Sequence, residues 1–540
     1  MKRPVKIVLS VLSGILLASG WPERGFPVLL FIGFIPLLII ENDHWSRKKD
    51  VSSFSIFWYA VITFSVWNIL TTYWIYNSTL VGVIAAVLIN TLLMTTAFCL
   101  FHITRRALTG NSTGYVALIG YWLSIEYLHL RWDLNWPWLN LGNGFAAYPK
   151  WIQWYEYTGI FGGSLWILVV NILLFRFINL RFIKKIHSRR VGNLLIYAIL
   201  LVGLPIIASY IIYSGYKEKN SPIDVVVVQP NIDPYNEQYE IEPQMITRRM
   251  LALARQKTDS LTDFIVFPES AIQEHAWEDQ LNEVGSINLF RAFNKGFPKI
   301  AEIAGISTRR IFMPGEPLSL TARRFSDTNR YYDEYNTALY ISHDGSLQKY
   351  HKSKLTPGVE EMPYPKLFKF LEKYALDLGG TIGSIGTNPD QVPFKINDSL
   401  NIAPVICYES VYGEFINRFV KNGANAIFVI TNDGWWGNTP GHRQHLFFSV
   451  LRAIETRRSI ARSANTGISC FINQRGDISQ RTAYWVPNAI RSKINTNSGL
   501  TFYVRYGDYI GRVFLVVAGL MFLQTIYLSF VVKRLRQIKN

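Results

Sequence analysis

Eight apolar stretches, each long enough to cross a hydrocarbon core about 30 Å thick, restrict this chain to folds with several membrane-spanning helices. They lie near residues 5–20, 26–40, 54–76, 79–101, 114–130, 160–180, 193–213 and 509–532. The second is short and holds Pro27 and Pro36, so it is expected to tilt or to pair tightly with the first as a hairpin. A cleaved signal peptide is the alternative for the first stretch, behind Lys2, Arg3 and Lys6. Spans follow at once, however, and Ala18-Ser19-Gly20 is a poor cleavage site, so the stretch is read as a span. A hydrophobic share of 49% with only 17% charged residues agrees with this class, and 540 residues leave room for more than one domain.

The net charge of +17 would suit a nucleic-acid partner if the charge lay on one soluble face. It lies elsewhere. With the N-terminus in the cytoplasm, the inner side receives Lys2, Arg3, Lys6, Arg47, Lys48, Lys49, Arg105 and Arg106, then the run from Arg176 to Arg190 and the tail residues Lys533, Arg534, Arg536 and Lys539. The outer loops keep Arg24, Arg131 and Lys150, so roughly 18 basic residues face about 3, the asymmetry of the positive-inside rule. An even number of spans returns the tail to the cytoplasm and puts residues 221–508 on the outer side. The division expected is therefore 1–220 with about seven spans, 221–508 as a soluble domain, and 509–540 as a last span with a basic tail.

In the soluble part, short β-branched runs near 224–229, 263–267, 303–307, 337–342, 402–407, 426–431 and 467–473 alternate with helical stretches such as 243–258 and 444–461. The pattern predicts a layered α/β domain, since runs such as 225–228 and 426–430 need cover on both faces. Residues 358–401, with Gly379-Gly380 and Asn388-Pro389, read as a long loop of the kind used for lids or binding arms.

Three segments place a reactive side chain at the end of a predicted strand. In Phe267-Pro268-Glu269-Ser270, burial after an apolar strand would favour the neutral carboxyl and suit Glu269 to general base work; an isolated Pro-Glu also reads as a helix cap. Lys352, in Tyr350-His351-Lys352-Ser353-Lys354, reads alone as one of a surface pair. Cys407, in Val405-Ile406-Cys407-Tyr408-Glu409, is either a packed core thiol or a nucleophile whose thiolate is favoured by backbone amides and a nearby cation. Cys99 lies in an apolar run as an ordinary buried thiol, and three cysteines make no disulfide framework.

Together, Glu269, Lys352 and Cys407 resemble the Glu, Lys, Cys triad of the nitrilase superfamily, in that superfamily's order. Asn432-Asp433-Gly434-Trp435-Trp436-Gly437, Gln444-His445, Arg452-Ala453-Ile454-Glu455 and Arg462 through Ile468 are similar to its membrane-integrated apolipoprotein N-acyltransferase branch. So are Trp138-Leu139-Asn140-Leu141-Gly142, Pro149, Gln153, Gly159 through Ser164, and Asn171. The chain departs from the family where Gly434 replaces a usual Ala, where Trp436 replaces a usual Phe, and in Pro357-Gly358-Val359-Glu360, where the family has Pro-Phe-Gly-Glu. No tryptophan follows Val228-Gln229-Pro230-Asn231, where some members carry one.

The resemblance implies a membrane domain of about eight spans joined to a nitrilase-like αββα sandwich, anchored in a bacterial cytoplasmic membrane with its catalytic domain outside. It implies a Cys407 thioester formed from a membrane phospholipid, with Glu269 moving protons and Lys352 stabilising the oxyanion, and then acyl transfer to the α-amino group of an apolipoprotein's S-diacylglyceryl cysteine. Glu360, Glu409 and Tyr408 would support this site, and Trp435 and Trp436 are candidates for lipid contact. Those two rings and the loop from Trp132 to Trp138 suit a membrane interface, although each tryptophan also reads as packing. No cofactor is implied, and no metal, because His442 and His445 lack further ligands at metal-site spacing. A monomer without nucleic acid is expected. Glu126 and His129 lie within a span and receive no role. The rival readings are a membrane-tethered amidase or nitrilase using the same three residues, and a transporter or binding protein in which they are dispensable.

Overall fold

The computed structural model describes residues 1–108, 114–238, 240–361, 364 and 384–538. The chain forms two compact units, Met1–Gly215 with Tyr506–Asn540, and Tyr216–Arg505.

The first unit is helical: α1 (Arg3–Ser19), α2 (Ile35–Ser46), α3 (Phe57–Thr72), α4 (Leu80–Ala107), α5 (Gly114–His129), α6 (Tyr155–Ile178), α7 (Arg189–Gly215) and a terminal helix, Tyr509–Ile538. Each expected apolar stretch falls on one of them, except that the second, 26–40, is divided between a 3-10 turn (Pro27–Phe31) and α2. Among the described residues, six helical segments are long and apolar enough to cross a membrane. The other two stretches form the 17 residues of α1 and the 16 of α5, just under that length.

The two prolines explain the irregular second stretch. Pro27 opens a short 3-10 turn and Pro36 lies in the first turn of α2, positions where the missing N–H costs nothing, so the helix restarts rather than running through. A break within an apolar bundle must have its backbone groups satisfied. Asn171 of α6 does so, donating to the Leu30 carbonyl at 2.8 Å and accepting from the Phe34 amide at 2.9 Å.

Glu126 and His129 of α5 prove to be anchors for the following loop. Glu126 Oε1 accepts from the Leu141 amide at 2.8 Å and Trp122 Nε1 at 3.0 Å, and His129 Nε2 accepts from the Trp136 amide at 3.0 Å. Trp138, expected among interface rings, is fully buried and stacked on Trp136 with centroids 4.9 Å apart, so packing claims it.

The second unit holds two sheets. One runs β14 (Asn488–Asn495), β1 (Pro222–Gln229), β2 (Phe264–Val266), β4 (Ala301–Ile311), β6 (Tyr331–Ile341), β5 (Arg323–Arg324), with β3 (Ile272–Trp277) beside β4 and β7 (Leu347–His351) beside β6. The other runs β13 (Ile478–Ser479), β12 (Cys470–Ile472), β11 (Ile460–Ala464), β10 (Ala426–Thr431), β9 (Asn401–Ile406), β8 (Phe394–Lys395).

The valine run of β1 is buried on both faces. Val226 and Val228 join Met250 of α8 (Pro243–Arg255) and Phe290 of α9 (Gly285–Asn294) in one core. On the other face the sheets meet, Phe264 of β2 lying edge-on to Phe428 of β10 at 5.5 Å. Helices α10 (Gly413–Lys421) and α11 (Pro440–Thr456) follow β9 and β10, giving the expected αββα layering. Truncating a core ring such as Phe267, edge-on to Phe290 at 4.9 Å, costs about 3–5 kcal/mol in cores of this kind.

Two expectations are corrected. The helix expected over 444–461 ends at Thr456, where Arg457 turns left-handed at φ 51°, and 460–464 is strand β11 between β10 and β12. The loop expected over 358–401 ends in strand β8, paired with β9. Its Gly379-Gly380 segment, like Lys539, lies outside the described residues.

Candidate active site

Chain reversals bring distant strand ends of the second unit together. Strands β1 and β2 run parallel, as do β9 and β10. Glu269 follows β2, Cys407 follows β9 and Asn432 follows β10, so all three stand at carboxyl ends of parallel strands, where open sheets commonly present their sites. Lys352 follows β7 in the β6–β7 hairpin, its amide tied to the Asn336 carbonyl at 2.8 Å.

Lys352 is buried, and its ammonium donates to Glu269 Oε1 at 3.0 Å and to Glu360 Oε1 at 2.8 Å. Burial alone would pull its pKa down, but the Glu269 and Glu360 carboxylates outweigh that and hold it well above the usual lysine value. Asn336 bridges the same two oxygens, at 2.8 Å to Glu269 and 3.1 Å to Glu360. Glu269 Oε2 accepts from the Asn432 amide at 3.1 Å. The expected burial of Glu269 thus comes with three donors. Glu360 reaches the cluster despite the Gly358-Val359 departure, because Gly358 adopts φ 78°, a left-handed turn open to glycine.

Cys407 is half-buried and left-handed at φ 49°, a conformation that costs a non-glycine residue on the order of 1–3 kcal/mol unless its surroundings impose it. Burial first, then the Glu269 carboxylate, pushes its thiol well above the usual value, while Lys352 pulls the other way. The resting group is therefore a thiol, and a base must take its proton. Cys470, in β12, is a core thiol pushed up to about 12 by burial.

Glu409 clamps both flanks of this site. Oε1 accepts from the Ser353 amide at 2.7 Å and the Tyr350 hydroxyl at 2.6 Å; Oε2 accepts from the Ile406 amide at 2.9 Å. One carboxylate thereby fixes the residue after Lys352 and the residue before Cys407. Burial pushes it up to about 7 against those hydrogen bonds. Tyr408 is buried and edge-on to Tyr412 at 5.3 Å.

Sequence reasoning missed the roles of Asn336, Asp433, His445 and Arg462. Asp433 Oδ1 meets His445 Nδ1 at 2.8 Å and Oδ2 accepts from Arg462 at 2.7 Å. Burial would raise Asp433, yet the Arg462 guanidinium and His445 ring hold it well below the usual carboxylate value. Asn336 stands just before the strand run 337–342, among the polar residues Asp333 and Glu334, so it carried no signal of its own, and the others show only once β10, β11 and α11 are assembled. Potential ligand atoms of Cys407, Asp433 and His445 lie within 4.8 Å of one another, a grouping the sequence did not suggest. Asp433 and His445 already engage each other, and Arg462 adds a positive charge there, so the set suits nucleophile support better than a cation.

Trp435 and Trp436 sit in a 3-10 turn after Asp433, Trp435 edge-on to Tyr235 at 5.2 Å and Trp436 edge-on to His445 at 5.4 Å. A methyl group on Gly434 would lie 2.2 Å from the Thr466 hydroxyl, which accounts for glycine at this departure from the family.

Residues 224–496, half of the chain, match the carbon-nitrogen hydrolase family model. The chain belongs to the carbon-nitrogen hydrolase family. Residues 13–173 match the apolipoprotein N-acyltransferase N-terminal domain, which places this carbon-nitrogen hydrolase with the apolipoprotein N-acyltransferases. A curated protein of that name from Chlorobaculum tepidum is 27% identical over 535 residues, covering 95% of each chain. Another, from Geobacter metallireducens, is 28% identical, covering 93% of this chain and 91% of its own. Among solved structures, an amidase from Nesterenkonia sp. is 14% identical over 56% of this chain and 100% of its own, with a TM-score of 0.36.

Proposed function

We propose that this chain moves an acyl group from a membrane phospholipid, through a thioester on Cys407, to the α-amino group of the S-diacylglyceryl cysteine at an apolipoprotein's N-terminus. The observation that carries the reading is Lys352, buried and charged between Glu269 and Glu360, beside a strained cysteine, in a chain whose described residues include six helical segments long and apolar enough to cross a membrane.

In the first half-reaction Glu269 takes the Cys407 proton, and sulfur bonds to the ester carbonyl carbon. Lys352 offsets the charge on the oxyanion. The carbon–oxygen bond to glycerol then breaks, and the proton returns from Glu269 to the departing lysolipid oxygen. In the second, the amine attacks the thioester and passes a proton to Glu269. The new carbon–nitrogen bond forms as the carbon–sulfur bond breaks, and sulfur regains its proton. Glu360 and Glu409 hold Lys352 and Cys407 in place throughout.

The asymmetry of basic residues supports an outer-side placement of residues 221–508 on a bacterial cytoplasmic membrane. Full-length protein, a phospholipid carrying a labelled acyl chain and a diacylated lipopeptide supply the test. Transfer of label to the lipopeptide, abolished by Cys407→Ala, is expected; hydrolysis of small amides without lipid transfer would favour the amidase reading.

A further inference from the structure

The left-handed turn at Cys407 is held from two sides. Glu409 ties it to the end of β7 through the Ser353 and Ile406 amides. On the other side the Cys407 carbonyl accepts from the Ser410 hydroxyl at 2.7 Å and meets His445 Nε2 at 3.1 Å. A carbonyl oxygen only accepts, so a hydrogen on Nε2 serves that oxygen together with the Ser410 hydroxyl, which lies 3.0 Å from the same nitrogen and itself donates to the carbonyl. Ser410 belongs to the same turn and moves with it, whereas His445 stands on α11. The imidazole is itself fixed: Nδ1 lies 2.8 Å from Asp433 Oδ1 and 3.1 Å from Arg462 Nη2, and the Trp436 ring packs edge-on at 5.4 Å. His445, Asp433 and Arg462 are all fully buried.

We propose that His445 is a positioning residue for the nucleophile, braced by Asp433 and Arg462 so that its Nε2–H fixes the Cys407 carbonyl and keeps the strained turn aimed at the acyl donor. Attack on an ester carbonyl demands sulfur about 3–3.5 Å from carbon along one direction, and an error near 1 Å can cost about 10²-fold in rate. Without the Nε2–H the turn keeps its tie to β7 and the Arg452 bond from α11 to the Val411 carbonyl, but loses the contact that α11 makes at Cys407 itself, and the peptide carrying the sulfur can rotate. Acylation slows, while lipid binding, which the hydrogen bond to the Cys407 carbonyl does not touch, is preserved as long as the replacing side chain still packs against Trp436.

The inference rests on Cys407 being the nucleophile of the proposed reaction, and its test has an arm that needs no lipid substrate. Full-length His445→Leu and His445→Gln variants in phospholipid–detergent micelles are compared with the parent for the rate of Cys407 alkylation by iodoacetamide. The maximal rate of acyl-adduct formation and the phospholipid concentration that half-saturates it are measured alongside. Leucine is expected to lower the maximal acylation rate about 10²-fold and to slow alkylation, with half-saturation unchanged within about twofold. Glutamine, whose amide N–H reaches the same carbonyl, is expected to recover most of both losses at a matched thermal midpoint. Parental rates in the leucine variant overturn the proposal, and so does a glutamine variant as slow as leucine at equal thermal midpoint. If His445→Leu does not fold, Asp433→Asn replaces it: a lower maximal rate at unchanged half-saturation supports the role, and an unchanged rate overturns it. A slowed alkylation in the variants with no acyl adduct on the parent would leave His445 its role and sink the acyl-transfer reading instead.

Discussion

Substituting Gly305 by alanine tests whether Glu269 must stand where the fold puts it. Gly305 is on β4, and its amide donates to the Pro268 carbonyl at 3.0 Å. A Cβ there would lie 2.4 Å from the Ser270 nitrogen and 2.7 Å from the Glu269 Cα, against 3.4 Å or more in ordinary contact. Both neighbours are backbone, so the strand end must retreat by about 1 Å, which costs about 1–3 kcal/mol as in other overpacked cores. The Glu269 carboxylate sits at 2.8–3.1 Å from Asn336, Lys352 and the Asn432 amide and cannot keep all three through such a shift. The barrier to acylation should rise by about 3 kcal/mol, a fall of about 10²-fold in rate. Single-turnover acylation of Cys407, beside a thermal melt showing the domain still folded, measures it. A Gly305→Ala protein that acylates at the parental rate would refute the reasoning that ties Glu269's position to proton transfer.

Glu409, pushed up to about 7 in the fold against about 4.3 unfolded, contributes stability below pH about 4 that is lost as pH rises through about 7. The loss amounts to about 3–4 kcal/mol, so thermal midpoints should fall across that window, and Glu409→Gln should flatten the slope. Lys352→Met leaves the Glu269 and Glu360 carboxylates buried without their cation. It should destabilise the domain by about 3–5 kcal/mol in a denaturant titration and abolish acylation. In the helical unit, buried Arg105 pairs with Glu41, and its guanidinium lies over Trp45 at 4.6 Å and Tyr115 at 4.4 Å. Arg105→Met should lower the detergent-solubilised thermal midpoint by several degrees while a separate melt of the Tyr216–Arg505 unit is unchanged; an unaltered midpoint would mean the pair contributes nothing.

The spans and the main strands were legible because their signals are local: apolar length for the helices, and β-branched runs for β1, β2, β4, β6, β9 and β10. Strand β11 was hidden behind the helical periodicity of α11, since its start depends on Arg457 turning left-handed, which sheet pairing imposes and no local propensity favours. β7, which ends just before Lys352, carries no β-branched run, its residues Gln348 and Lys349 being polar at a sheet edge, so the strong strand signal ahead of Lys352 was that of 337–342. Glu269, Lys352 and Cys407 could be picked out through their order and flanking residues. The Asp433, His445 and Arg462 network could not, because its members come from the end of β10, the second turn of α11 and the middle of β11 and converge only through parallel pairing. Trp138 shows the reverse failure: its composition suits an interface, yet its ring is enclosed by the turns that Glu126 and His129 pin.

The central claim is that Cys407 carries the acyl group. Intact full-length protein incubated with a single defined phospholipid, digested and analysed by mass spectrometry, tests it without any acceptor present. The account predicts the mass of one acyl chain on the peptide holding Cys407, removed by hydroxylamine and absent from Cys407→Ala. An adduct confined to Cys470 or Cys99, or acyl transfer proceeding while Cys407 stays unmodified, would contradict it.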